Sequence, residues 1–197
     1  MKIAFCFPGQ GSQMVGMGSA IAGEFPAARA VYDEASAAVG FDVAKLCFEG
    51  SIEDLTRTEL QQPALVATSI ACLRAVETLG IRPNYVIGHS VGEYSALAAA
   101  GSIQAGDAVA LVRERGEAMA EAARDTPGAM AAVLGLEDSV VEELCEQIEG
   151  VWPANYNCPG QVVVSGENEA VDKLIAEAAA RGARKTVKLR VSGGFHS

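Results

Sequence analysis

Tyr85-Val86-Ile87-Gly88-His89-Ser90-Val91-Gly92-Glu93-Tyr94 is the stretch on which the reading of this chain turns. A short apolar run leads into a glycine-flanked serine and then into Glu93–Ala100, a run of small helix formers closed by Gly101. Strand, tight turn, helix is the context in which a G-x-S-x-G serine is held on a sharp bend with its hydroxyl exposed. The alternative reading of the same spacing is an ordinary tight turn with glycine at its two strained positions.

Working outward, the pattern is that of an α/β chain. Residues 2–7 read as a buried first strand, and Pro8-Gly9-Gln10-Gly11-Ser12-Gln13 as a glycine-rich loop. Helical pattern runs from Gly16 to Gly40, with Pro26 early in a second helix. Ser51-Ile52-Glu53-Asp54 has the form of a cap for a short helix. Ala64–Leu79 is apolar on most faces, which predicts a deeply buried helix, and Ala105–Arg124 predicts another. After Thr126-Pro127-Gly128 the order changes to strand 129–136, helix 138–148, strands 151–156 and 161–165, helix 169–180 and strand 185–191. That β-α-β-β-α-β order is ferredoxin-like. The expected organisation is a large α/β domain over 1–125, a ferredoxin-like subdomain over 126–191, and a return loop over 192–197.

Composition narrows the function classes. The 197 residues carry a formal net charge of −10, half are hydrophobic and 20% are charged. Such a chain repels nucleic acid and anionic membranes on average. No apolar run reaches the roughly 18–20 residues of a membrane span. The five cysteines, Cys6, Cys47, Cys72, Cys145 and Cys158, are scattered without a C-x-x-C pair. They suggest reduced thiols in a cytoplasmic protein rather than a zinc site or a disulfide framework, and no metal or cofactor is expected. Five of the 15 Lys and Arg fall within residues 181–190, either a charge-protected edge strand or a local basic patch.

A serine needs a base, and the chain has two histidines. His89 adjoins Ser90, where successive side chains diverge, so its expected role is to support the turn. By elimination His196, in Gly194-Phe195-His196-Ser197, is the base. Ser90 and His196 together would perform acyl transfer. The helix N-terminus after Ser90 makes the Val91 N–H a natural oxyanion donor, and the backbone N–H of Gln10 is the candidate for the second. Arg115 reads either as a helix-surface arginine or as a bidentate clamp for a substrate carboxylate. A nucleotide loop is excluded: Met14 stands where G-x-G-x-x-G needs glycine, and the P-loop lysine is absent.

Four motifs in order, Phe7-Pro8-Gly9-Gln10-Gly11-Ser12-Gln13, Gly88–Tyr94, Arg115-Gly116-Glu117-Ala118-Met119 and Gly194–Ser197, are similar to those of the malonyl-CoA:acyl carrier protein transacylases of type II fatty acid synthesis. Asn155–Val163 also fits that family. The resemblance implies an α/β-hydrolase-like large domain. It implies that Ser90 accepts malonyl from malonyl-CoA, that His196 moves the proton, and that Gln10 and Val91 hold the oxyanion. It further implies that Arg115 pairs with the malonyl carboxylate and that acyl carrier protein takes the group through its phosphopantetheine thiol. Phe195, an aromatic residue before the base, goes with a malonyl rather than methylmalonyl preference. The acidic carrier protein gives Arg184, Lys185, Lys188 and Arg190 a partner. Family members continue beyond the base, with a later backbone carbonyl orienting it, so the resemblance implies an N-terminal portion. Two other readings are a serine hydrolase or thioesterase of α/β-hydrolase type, and an inactive or carrier-binding fragment.

Overall fold

A computed structural model describes residues 2–191 and 193–197, so the expected return loop begins on a residue, Ser192, that lies outside the described ones. The chain divides into two compact units, Met1–Ala118 and Met119–Ser197.

In the first unit, β1 (Ala4–Phe7) and β2 (Tyr85–Gly88) form a parallel pair, with Phe7 opposite Gly88. Helices α1 (Ser19–Glu24), α2 (Pro26–Val39), α3 (Val43–Glu49), α4 (Thr58–Thr78) and α5 (Gly92–Ala99) belong to this unit. Helix α6 (Ala105–Asp125) runs past the division point. The core forms around α4: Ala64, Val66, Ala67, Ile70 and Ala71 are sealed from solvent together with Tyr32, Val43, Leu55, Val109 and Val112. Tyr32 and Phe48 meet edge to face at 4.9 Å.

Helix α4 begins at Thr58, six residues before the expected start at Ala64, and carries Pro63 inside it. Proline removes one i→i−4 bond and crowds the carbonyl four residues back, which is why the pattern alone suggested a start beyond it. The vacated carbonyl belongs to Glu59, and the Arg113 Nη1 donates to it at 2.9 Å. The Ser51 motif does cap, with its Oγ accepting the Asp54 N–H at 3.0 Å, but it starts only a single 3-10 turn over Asp54–Thr56.

The second unit contains β3 (Ala129–Leu134), α7 (Asp138–Gln147), β4 (Val151–Cys158), β5 (Gln161–Gly166), α8 (Asn168–Ala180) and β6 (Lys185–Lys188). Its four strands form an antiparallel sheet in the order β4-β5-β3-β6. Val133, Val151, Val162 and Val164 pack against Val141, Leu144, Val171 and Leu174. The last strand was expected to run to Val191 but stops at Lys188, because the Val191 N–H turns back to the Leu189 carbonyl at 3.0 Å. β6 lies at the edge of the sheet, where Lys188 meets Asp172 at 2.5 Å. Arg181, on the preceding turn, lies 3.5 Å from Glu143.

Candidate active site

The serine sits on a bend that the neighbouring backbone forces to be tight. At the end of β2 the His89 N–H donates to the Phe7 carbonyl at 3.0 Å, carrying the strand pairing one residue further. Ser90 then adopts φ 52, and α5 starts two residues on. A left-handed conformation in a non-glycine residue costs on the order of 1–3 kcal/mol and persists only where the surroundings over-determine it. Here the flanking glycines do so. A Cβ on Gly88 would run into the backbone of Gly92 and Glu93, and one on Gly92 into the Phe7 carbonyl and, at 2.6 Å, that of Pro8. The loop after β1 is equally close: a Cβ on Gly9 would lie 2.6 Å from the His89 Nδ1. His89 is therefore packed against the glycine-rich loop.

Val91 is the N-cap of α5, its side chain fully buried and its helix end without a side-chain cap. The first helical donors are the Gly92 N–H, to His89 at 2.9 Å, and the Glu93 N–H, to Ser90 at 3.1 Å. The Val91 N–H precedes them at the positive end of the helix dipole, immediately after Ser90.

Arg115, on α6, reaches this turn. Its Nη2 donates to the Ser90 Oγ at 3.1 Å and its Nη1 to the Gln62 Oε1 at 2.5 Å. Gln62 in turn donates to the Thr58 Oγ1 at 2.8 Å, and the Gln10 Nε2 donates to the same oxygen at 3.0 Å and to the Gln61 Oε1. Gln10, Thr58, Gln62, Arg115 and Ser90 thus form one hydrogen-bonded chain within the first unit. Burial holds the Arg115 guanidinium below the ordinary arginine range, against the opposing pull of Tyr94 and Glu93. It stays cationic near neutrality. A cation that donates to the Oγ favours its ionised form.

Sequence reasoning missed Thr58, Gln61 and Gln62, which are 7%, 3% and 0% exposed. A signal was present: two adjacent glutamines immediately before Pro63, at the head of an otherwise apolar helix. Gly116 was missed as well. A Cβ there would lie 2.8 Å from both the Glu59 Cα and the Thr58 carbonyl, so the glycine lets α6 bring Arg115 against the first turn of α4.

His196 and Phe195 belong to the second unit. Gly193 bridges Pro127, and a Cβ on Gly128 would lie 2.6 Å from both the Gly166 carbonyl and the Gly194 nitrogen. The loop is thereby laid onto the ends of β3 and β5. The Phe195 ring folds back over Gly193, and the Ser197 Oγ donates to the Gly194 carbonyl at 2.6 Å. Between them His196 takes φ 64, which with Ser90 makes the two positive-φ non-glycine positions among the described residues. Among the described residues no three His, Cys, Asp or Glu side chains are placed to hold a metal ion, and no helix is long and apolar enough to cross a membrane.

Residues 4–197 match the family described as "Acyl transferase domain". The chain belongs to this acyl transferase domain family. It is 47% identical over 200 residues to the malonyl CoA-acyl carrier protein transacylase of Bacillus subtilis (strain 168), covering 100% of this chain and 63% of that one. Among solved structures it is similar to an acyl-carrier-protein-S-malonyltransferase from Bartonella henselae, at 44% identity and TM-score 0.94, covering 100% of this chain and 65% of that one. It is also similar to a malonyl-transacylase solved in complex with a type II PKS acyl-carrier protein, at 40% identity and TM-score 0.94, covering 98% and 64%. This acyl transferase chain therefore spans somewhat under two thirds of the length of these relatives.

Proposed function

We propose that the chain carries the nucleophile, base and acyl-carboxylate clamp of an acyltransferase that moves malonyl from malonyl-CoA to the phosphopantetheine thiol of acyl carrier protein. The observation that carries this reading is the Arg115 guanidinium, held by Gln62 and donating to the Ser90 Oγ at 3.1 Å. A cation fixed beside a strained serine at a helix N-terminus suits an acyl group with a free carboxylate at its far end. An ordinary ester or acetyl group leaves such a cation unpaired.

In the proposed reaction the Ser90 Oγ attacks the thioester carbonyl of malonyl-CoA while His196 takes its proton. The carbonyl oxygen becomes an oxyanion held by the backbone N–H groups of Val91 and Gln10; removing one such donor typically costs about 2.7–4 kcal/mol. Collapse expels the CoA thiolate, which receives the proton from His196, and leaves malonyl as an ester on Ser90. The carrier-protein thiol then gives its proton to His196 and attacks the ester, and Ser90 leaves as the alkoxide and regains the proton. Arg115 holds the malonyl carboxylate through both halves, and Phe195 crowds the carbon that would bear a methyl branch. The acidic carrier protein would dock on Arg184, Lys185, Lys188 and Arg190, with Lys188 exchanging Asp172 for it. No cofactor enters this scheme, and we place it in the cytoplasm. We read the antiparallel unit as ferredoxin-like and the unit carrying Ser90 as α/β-hydrolase-like, with domain limits at 125 and 191.

The test is incubation with malonyl-CoA followed by mass detection of the Ser90 peptide. An ester of malonyl mass on Ser90 is expected, and Arg115→Ala should lower malonyl loading far more than acetyl loading from acetyl-CoA, which loses only the contact to the Ser90 Oγ. Equal loss of both acyl groups in Arg115→Ala would refute the clamp. Hydrolysis without a trapped ester and without transfer to the carrier thiol would make the protein a hydrolase instead.

A further inference from the structure

Pro63 leaves the Glu59 carbonyl without its helical donor in the turn that carries Thr58, Gln61 and Gln62. A partly buried orphan carbonyl costs about 1–3 kcal/mol if nothing replaces the lost partner. Arg113 replaces it. Its Nη1 donates to the Glu59 carbonyl at 2.9 Å and its Nη2 meets Glu117 at 2.5 Å. Its guanidinium also lies 5.5 Å from the centroid of the Phe41 ring. Three contacts pin this one side chain, to α4, to its own helix and to the connection between α2 and α3, and its exposure is 27%. One helical turn contains both arginines. Arg113 grips the backbone of α4 at Glu59, and Arg115 is gripped by the side chain of Gln62, three residues further along the same helix.

We propose that Arg113 is a positioning residue for Arg115: by donating to the carbonyl that Pro63 vacates, it fixes the turn from which Gln62 orients the Arg115 guanidinium beside Ser90. Arg113 touches no substrate in this scheme. Its effect is mainly on discrimination, because a displaced Gln62 lets the Arg115 fork swing away from the carboxylate while the backbone of the serine turn keeps its own hydrogen bonds. The inference rests on the malonyl reading of Arg115, and the experiment separates the two.

The experiment is a double-mutant cycle on the full chain, with Arg113→Leu made in the Pro63 and in the Pro63→Ala backgrounds. The readouts are the ratio of malonyl to acetyl loading on Ser90 and the thermal midpoint. With Pro63 present, Arg113→Leu should lower the loading ratio about threefold to tenfold, the effect of one lost hydrogen bond. In the Pro63→Ala background a backbone N–H can reach the Glu59 carbonyl, and there the same substitution should change the ratio by less than about twofold. An unchanged ratio in the Pro63 background, even with a lowered Tm, overturns the proposal, and so does an equal fall in both backgrounds. Should Arg113→Leu fail to fold, Arg113→Lys, which has a donor but no fork to reach carbonyl and Glu117 together, repeats the comparison. A wild-type chain that loads neither acyl group refutes the proposed function instead. The Tm cycle then decides the carbonyl contact: equal losses on both backgrounds overturn it, and a smaller loss in the Pro63→Ala background upholds it.

Discussion

Gly116→Ala sets helix propensity and packing against each other with opposite signs. Glycine within a helix is about 1 kcal/mol worse than alanine, so propensity alone predicts that the substitution stabilises α6. The packing predicts the reverse. The added Cβ would sit 2.8 Å from the Glu59 Cα, 2.8 Å from the Thr58 carbonyl oxygen and 3.2 Å from the Glu59 nitrogen. Ordinary contact begins near 3.4 Å, so the shortfall is 3.4 − 2.8 = 0.6 Å at two atoms. Both are backbone atoms, and no side-chain rotation relieves them. Either α6 or the first turn of α4 must shift, at a cost of about 2–3 kcal/mol. Against the gain of about 1 kcal/mol from propensity, the net loss is about 1–2 kcal/mol. For a chain of this size that lowers Tm by about 2–8 °C. Circular-dichroism melts and urea titrations give the number directly. The malonyl loading of Ser90 should fall further than acetyl loading, since the displaced residue adjoins Arg115. A rise in Tm would refute the close approach of the two helices, and with it the account of how Arg115 is placed.

Ser95 carries a fully buried hydroxyl with no hydrogen-bond partner among the described residues. Ser95→Ala should therefore stabilise by about 0.5–1 kcal/mol, and a Tm lowered by the substitution would show that the hydroxyl has a partner. The thiols divide by exposure: Cys6 and Cys158 are exposed, Cys47 and Cys145 buried. Burial pushes the Cys47 and Cys145 thiols up to about 11, with the Glu142 charge adding to the effect at Cys145. At pH 8 iodoacetamide should modify Cys158 well before either, and peptide mass spectrometry showing Cys47 modified at the same rate would contradict the buried cluster. The sign for stability follows. The unfolded thiols ionise near pH 8.5, below the folded value, so these two groups stabilise fully below that pH and lose the contribution as pH rises toward about 11.

The elements legible in the sequence are those whose cause is local. Val86-Ile87 followed by Gly88 ends a strand by its own composition, and the unbroken run Val162-Val163-Val164 marks a short strand buried on both faces. The two serine-turn glycines are also visible, yet the turn alone does not require them. Gly88 is needed because Glu93 comes back over it, and Gly92 because the Phe7 carbonyl, 85 positions earlier than Gly92 in the chain, lies under it. The same holds for the chain of hydrogen bonds behind Ser90. Arg115 stands out beside Gly116 in a motif, but the place of Gln62 and Thr58 in that hydrogen-bonded chain is visible only once Pro63 is understood as interior to a helix rather than as its boundary. A proline inside a helix is tolerated when some other group satisfies the carbonyl it frees, and here that group, Arg113, comes from 54 residues away. No local pattern contains that pairing. Long-range donors of this kind are where reading by period and propensity stops, and in this chain the first such donor lies two residues from the arginine on which the proposed chemistry depends.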